Sequence, residues 1–211
     1  RLAAPFRPPR SGKGPTMRME HPPGEEGQMD WSPYGVVLGT ERTVVQGFSF
    51  VLPFSAWRYL QFAFDQTLET LTGLHDQAFD LTQAVPHRMS YDNMTTVGRH
   101  IGDDEVWINP TFATWASPYG FEIFLTRPGK PKDHATVERS HQYNENNFLR
   151  RHRFRFDDLA DLNRKAAQWC AETANVRIHG TTRKRPSLRT ASLRPSPGRR
   201  TCNSATRAPS R

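Results

Sequence analysis

The chain has 211 residues, with 29 Lys or Arg against 21 Asp or Glu and a formal net charge of +8. This length suits one domain of ordinary size with a real core. A disulfide framework is excluded, because Cys170 and Cys202 are the only cysteines and stand in unrelated contexts. No stretch approaches the roughly 20 apolar residues of a membrane span, and the start lacks the pattern of a signal peptide, so we expect a cytoplasmic protein without a membrane partner.

The positive charge is concentrated at the two ends of the sequence. Residues 1–18 and 183–211 hold fourteen of the 29 basic residues and none of the acidic ones, so the middle carries a net charge of −6. Residues 1–16 and 187–211 hold only four large aliphatic or aromatic side chains between them, too few for a core, which predicts disorder. The second segment fits either a basic tail that touches phosphates or translation in a shifted frame, and we favour the shifted frame.

The pattern between the ends predicts alternating strands and helices. Taken in chain order, we expect strands over residues 28–31, 43–53 and 57–64, a helix over 65–79, a strand over 88–91, a helix over 110–119, a strand over 121–125, and helices over 132–148 and 156–173. Three consecutive strands followed by alternating units indicate a mixed α/β sheet with helices on its faces. That order is typical of a ribonuclease-H-like domain with five strands.

Three acidic residues stand at informative places in this order. Asp30 lies in the first predicted strand, Asp92 follows the fourth, and Glu138 lies in the helix after the fifth. Carboxylates brought together without a cation would repel one another, and Mg²⁺ or Mn²⁺ prefers such oxygen ligands. Two such ions would suit phosphodiester chemistry. Spacing alone is weak support, because any chain of this size has scattered acids.

Several further segments surround or follow these acids: residues 24–31 around Asp30, 91–94 around Asp92, 127–133 with 137–139 around Glu138, 109–110 with 119–121, 147–149, and 175–182. Taken together in this order, they resemble the catalytic core of IstA-type transposases, members of the DDE transposase and retroviral-integrase superfamily. Each motif alone is modest, and the whole resemblance covers about residues 18–186. The resemblance implies a ribonuclease-H-like integrase fold with Asp30, Asp92 and Glu138 as catalytic residues that bind two Mg²⁺ or Mn²⁺ ions.

The resemblance also implies an activity, partners and a domain plan. The activity is cleavage of element ends and their strand transfer to target DNA, in a bacterial cytoplasm, with an IstB-type AAA+ ATPase as partner and a homo-oligomer on DNA. We expect a disordered segment over 1–16, the catalytic core over 17–155, a helical extension over 156–186 and a basic tail over 187–211. The family's upstream helix-turn-helix region and downstream β domain are not evident here, so the chain reads as truncated at both ends.

Other side chains are assigned on weaker grounds. Residues 127–155 hold eight basic groups against three acids, beside the predicted metal site, which favours phosphate contact. The predicted DNA-binding residues are Arg127, Lys130, Lys132, Arg139 and Asn93. His134 and His141 could face the same groove, although a polar surface role is favoured for each. Four tryptophans are expected in the core: Trp57, Trp107, Trp115 and Trp169.

Two alternatives to an active transposase core stay open. One is another nuclease of the same fold, such as a ribonuclease H or a Holliday-junction nuclease, which would show a fourth late carboxylate and no motif over residues 175–182. The other is an inactive transposase remnant that binds DNA without catalysis. The three intact acids argue against decay of the site.

Overall fold

The computed structural model describes residues 22–101, 105–126, 135–178, 185–186 and 194–196. Strands β1 to β10 cover Glu26–Leu38, Glu41–Leu52, Trp57–Ala63, Ala84–Val85, Arg88–Tyr91, Gly98–His100, Val106–Ile108, Glu122–Leu125, Arg155–Phe156 and Arg194–Pro195. Helices α1 to α4 cover Leu68–Thr82, Pro110–Ala116, Ala135–Asn144 and Leu159–Trp169. The predictions of disorder over 1–16 and 187–211 fall almost wholly outside the described residues, and the predicted domain plan stays a prediction.

The main sheet has the strand order β3-β2-β1-β5-β8. Strands β1, β2 and β3 pair antiparallel, whereas β5 pairs parallel with both β1 and β8. This mixed five-stranded sheet confirms the predicted ribonuclease-H-like fold class. Short additions escaped prediction: β9 joins β1 in parallel over two residues, β4 pairs with β10, and β6 and β7 form a separate hairpin.

Strand β1 is much longer than the four residues predicted for it. It runs for 13 residues and pairs with β2 from Gln28 to Leu38. Pro33 and Gly35 conceal the strand in the sequence, because both residues are uncommon inside strands. In the described part of the chain, β5 stops pairing with β1 at Met29 and β9 starts at Val37. Proline is tolerated between these points, where β1 lacks a neighbouring strand on that side.

Helices cover both faces of the sheet. Leu71 and Phe79 of α1 pack with Phe112 of α2 against one face, in an aromatic-rich core that includes Met29 and Trp31. The other face carries a second core built by α4 and the turns after α3 and α4, with these members among others: Phe148, Leu149, Leu162, Trp169 and Cys170. Met29 and Trp31 therefore point away from the face of Asp30.

The helices start where polar side chains cap them. The Thr67 side chain accepts a hydrogen bond from the backbone N of Thr70 (3.3 Å) and starts α1 three residues later than predicted. The Asp158 side chain accepts a hydrogen bond from the backbone N of Asp161 (2.7 Å) and caps α4, which therefore begins at Leu159. Phe156, predicted as the first residue of this helix, belongs to β9 instead. In the described ranges no helix has both the length and the apolarity to cross a bilayer.

The core prediction was wrong for Trp107. Trp57 and Trp169 are buried and Trp115 packs against the first core, but Trp107 on the β6–β7 hairpin remains 38 % exposed. A two-stranded hairpin has one face that no other layer covers. The Arg99 guanidinium lies over the exposed indole, 5.7 Å from the ring centroid.

A buried histidine sits at the centre of the first core. His75 of α1 is fully buried, with its Nδ1 2.8 Å from the backbone O of Leu71 and its Nε2 3.1 Å from the hydroxyl of Tyr91. Burial lowers the pKa of His75 to about 4. Because Tyr91 directly precedes Asp92, this histidine supports the strand end that carries a predicted catalytic residue.

This buried histidine should make the fold sensitive to mild acid. The unfolded chain takes up a proton at His75 near its ordinary pKa of about 6.5, whereas the folded chain resists protonation down to pH about 4. The free energy of unfolding should therefore fall by about 2 kcal/mol between pH 7 and pH 4.5 through this residue alone. In His75→Gln that part of the fall should vanish from urea titrations, and in the exposed control His87→Gln it should persist. Equal pH dependence in wild type and His75→Gln would contradict the assignment.

Candidate active site

The two predicted catalytic aspartates are neighbours across parallel strands. Met29 of β1 lies opposite Tyr91 of β5 in the paired register. Carried one residue further, this register places Asp30 beside Asp92, at the strand spacing of about 4.8 Å. Successive residues of a strand point to opposite faces, and Met29 is buried in the first core. Both aspartates therefore belong to the opposite face, which α3 covers.

Asp92 lies just past the end of β5 and is exposed. Its Oδ1 accepts hydrogen bonds from the backbone N of Asn93 (2.8 Å) and from Oγ1 of Thr126 (3.4 Å), the residue that follows β8. Asn93, a predicted DNA contact, is also exposed, and its Oδ1 accepts a hydrogen bond from the backbone N of His100 (3.3 Å). Asn93 thus links the aspartate to the β6–β7 hairpin.

A histidine from α3 holds Asp30. The Nε2 of His141 lies 2.9 Å from Oδ2 of Asp30, and the Nδ1 lies 3.3 Å from the Tyr34 hydroxyl. Burial raises the pKa of Tyr34 to about 12, so the hydroxyl keeps its proton at neutral pH. When Tyr34 donates to Nδ1, the other ring nitrogen carries the hydrogen that reaches Asp30. The favoured interpretation of His141 as a surface residue was wrong, since its side chain is only 16 % exposed.

Helix α3 crosses the sheet from strand to strand. Nδ2 of Asn144 donates to Oγ of Ser49 on β2 (3.0 Å), and three residues earlier His141 reaches Asp30 on β1. Three residues of helix rise about 4.5 Å, which nearly equals the strand spacing of about 4.8 Å. Glu138 lies three residues earlier again, so the course of the helix carries its backbone toward the end of β5.

The convergence of all three carboxylates stays a prediction. Glu138 lies within α3, but its side chain is outside the described residues, as are Arg127, Lys130 and Lys132. Arg139 is described and exposed at the start of α3. Among the described side chains, no three of His, Cys, Asp and Glu gather into a group that could hold a metal ion. Asp30 and Asp92 nevertheless supply the adjacent hard oxygen donors that Mg²⁺ prefers.

A buried arginine, absent from the sequence-based assignment, anchors α3 to the sheet. Arg58 of β3 donates from its Nη1 to Oγ of Ser140 and to Oδ1 of Asn144, both at 3.2 Å. Its guanidinium also stacks on the ring of Tyr143, 4.3 Å from the centroid. Burial lowers the pKa of Arg58 to about 10, which leaves the group charged at neutral pH. The signal in the sequence was a charge at a strand position where Leu60 and the other alternate residues are apolar.

The motif over residues 175–182 begins with a residue that completes the sheet. Oδ1 of Asn175 accepts a hydrogen bond from the backbone N of Arg58 (3.0 Å), and its Nδ2 donates to the backbone O of Arg58 (2.9 Å). The Asn175 side chain thereby acts as a short strand beside β3 and holds the chain after α4 close to the arginine anchor.

Comparison with known proteins shows sequence relatives among transposases, whereas no family model matches the chain. A protein of Geobacillus stearothermophilus assigned as the transposase for insertion sequence element IS5376 is 34 % identical over 187 residues, or 86 % of this chain and 46 % of that protein. A transposase of Aminobacter aminovorans is 32 % identical, over 82 % of this chain and 34 % of its own length. The Bacteroides fragilis transposase for insertion sequence element IS21-like is 29 % identical, over 80 % of this chain and 32 % of its own length. The chain thus spans about half to a third of these relatives.

Solved structures with the same fold are retroviral integrase catalytic cores. The catalytic core domain of HTLV-2 integrase, in complex with magnesium, matches with a TM-score of 0.56 at 15 % identity, over 78 % of this chain and 94 % of that one. The catalytic core domain of BIV integrase matches with a TM-score of 0.53 at 13 % identity, over 77 % of this chain and 91 % of that one. At such low identity the likeness supports the fold alone.

The anchoring role of Arg58 predicts that its loss destabilises the fold more than the loss of Arg177, which stacks on the same tyrosine. Replacing Arg58 with Met should lower the free energy of unfolding by about 3 kcal/mol or more, because two charge-assisted hydrogen bonds are lost and their acceptors stay buried. Arg177, whose guanidinium stacks 4.0 Å from the centroid of the Tyr143 ring, is the matched control, and Arg177→Met should cost about 1 kcal/mol. Urea unfolding measures both, and similar losses would contradict the anchoring role of Arg58.

Proposed function

Because the chain belongs to the IS21-like, IstA-type family of transposases and folds as an integrase-like catalytic core, we propose that it catalyses metal-dependent cleavage and strand transfer of insertion-element DNA ends. The observation that supports the proposal is the parallel pairing of Met29 with Tyr91, each directly before a proposed catalytic aspartate, together with the contact between His141 of α3 and Asp30. The full activity is a proposal for the chain in hand, since it spans half or less of its relatives.

The three acids have distinct positions in this proposal. Asp30, Asp92 and Glu138 would hold two Mg²⁺ or Mn²⁺ ions, which supply activation of the attacking oxygen and stabilisation of the leaving oxygen when bound. His141 fixes the orientation of Asp30, and Thr126 helps to fix that of Asp92. A carboxylate held by a hydrogen bond presents its remaining lone pairs in one direction, which suits hard-ion binding.

The DNA would enter along the side of the site where β5 and β8 end. Asn93 is exposed beside Asp92, and Arg139 is exposed one residue after Glu138. Together with Arg127, Lys130 and Lys132, these residues would contact phosphates and position the reacting bond. A homo-oligomer on DNA is part of the proposal, supported by a TM-score of 0.52 to a chain of the simian T-cell lymphotropic virus intasome. An IstB-type AAA+ ATPase is the proposed partner, on the strength of family membership.

The proposal predicts that three conservative substitutions abolish catalysis. Asp30→Asn, Asp92→Asn and Glu138→Gln should each reduce Mn²⁺-dependent nicking and joining of plasmid DNA by at least about 100-fold, because each removes a charge from the metal site. Each should also reduce the rise in melting temperature that millimolar Mn²⁺ gives the wild type.

Duplex binding measured without divalent metal provides the control. It should be equal or stronger in these variants, since a negative charge near the phosphates has been removed. Glu122→Gln, at an exposed ion pair with Arg88, is the matched carboxylate control and should retain nicking. Nicking by all three variants at the wild-type rate would refute the proposed site.

A further inference from the structure

A groove lies at the far end of the long β1–β2 hairpin, away from the aspartates. It has a volume of about 610 Å³ and is lined by the ends of β1 and β2 and by the segment that leads into β9. Its main lining residues are Gly35, Val37, Val44, Arg42, Arg153 and Arg155. Three arginines from two separate parts of the chain therefore line one groove.

These three arginines lack partners of opposite charge in the described part of the chain. Arg42, Arg153 and Arg155 are exposed, and the ion pairs of the described residues involve other arginines, such as Arg88, Arg150 and Arg164. Like charges gathered without a counter-charge repel one another, so the arrangement favours a negatively charged ligand. Guanidinium groups bind phosphate oxygens with two parallel hydrogen bonds, which makes phosphate the best matched anion.

The backbone at this place is held in an unusual conformation. Arg153 and Phe154 are consecutive residues with φ of 53° and 57°, in the left-handed region that side chains other than glycine rarely adopt. Hydrogen bonds hold it, because the backbone N of Phe154 donates to the O of Leu149 (2.9 Å) and the O of Phe154 accepts from the N of Val37 (2.8 Å). The strained turn brings the arginines before and within β9 to the end of β1.

The groove is separated from the aspartates by the length of β1. Arg42 of β2 and Arg155 of β9 both pair with Val37, seven residues beyond Asp30, which is about 23 Å of extended strand. This exceeds two Debye lengths at physiological salt, so the two sites act almost independently on a charged ligand. The structure thus divides the basic run over residues 127–155, because its last two arginines lie far from Asp30.

We propose that this groove, the arginine groove of Arg42, Arg153 and Arg155, binds the phosphate backbone of duplex DNA. The proposal extends the proposed function by a second DNA contact, remote from the reacting phosphate. Val37 and Val44 add apolar surface beside the charges, against which sugar rings can pack. Contacts of this kind fix the position of the duplex without reading its sequence.

The test compares two triple variants that lose the same charge. Arg42→Gln, Arg153→Gln and Arg155→Gln together remove the groove's charges, whereas Arg88→Gln, Arg150→Gln and Arg164→Gln together remove three ion-paired surface arginines. Affinity for a random 30-base-pair duplex is measured against salt concentration in an Asp92→Asn background without divalent metal. No catalysis takes place under these conditions, so the binding result does not depend on whether the proposed catalysis is correct. A negative binding result would likewise leave the nicking test of Asp92→Asn unaffected.

The groove variant should lose two to three units of the slope of log affinity against log salt, and at least about 10-fold in affinity at 50 mM salt. The control variant should lose less than one unit. Equal slopes in the two variants would overturn the proposal. Stabilisation of the wild type by inorganic phosphate alone, with an unchanged DNA slope in the groove variant, would overturn it in favour of a small-anion site. If the triple variant does not fold, Arg42→Gln and Arg155→Gln are measured singly, and each should lose about 0.9 units.

Discussion

The parallel pairing of β1 with β5, whose last pair Met29 and Tyr91 directly precedes Asp30 and Asp92, is the constraint on which the rest of this structure depends. The register of β1 and β5 fixes the face on which Asp30 lies, because a shift of β1 by one residue would turn Asp30 toward the aromatic core. The repulsion between Asp30 and Asp92 must then be offset locally. In the described structure His141 meets one aspartate, and Thr126 with the backbone of Asn93 meets the other. These contacts hold each carboxylate in one orientation.

The same constraint explains why α3 is fastened so firmly. The proposed site requires a helix that keeps Glu138 at a fixed position beside the aspartates, and Arg58 with Asn144 fixes the position of α3 on β2 and β3. The edge of β3 is closed in turn by side-chain amides from the α4 region. Asn175 pairs with the backbone of Arg58, and Asn163 pairs with that of Phe62 at 2.7 and 2.9 Å. Amides that pair with the backbone of β3 at these two positions oppose the addition of another strand at this edge of the sheet.

Much of the fold was readable from local patterns, because strand alternation and helical spacing express burial directly. These two patterns predicted the main strands, their order along the chain and the helices on both faces of the sheet. The resemblance to a known family then assigned roles to the three acids. What could not be predicted depends on contacts between distant residues. His141 meets Asp30 across 111 positions, and nothing beside His141 in the sequence announces that contact. Pro33 concealed the length of β1 because its effect depends on which neighbouring strand is present.

The length of β1 has a consequence for how a polyanion could reach an acidic site. DNA approaching two carboxylates is repelled, and this repulsion is screened beyond roughly 8 Å at physiological salt. In the proposed arrangement, positive charge at the distance of Val37 lies outside that range, so it would attract DNA without neutralising the carboxylates proposed to hold cations. With the arginines at one end of β1 and Asp30 toward the other, the proposed protein could attract DNA and still leave its carboxylates available to cations. The length of β1 provides this separation.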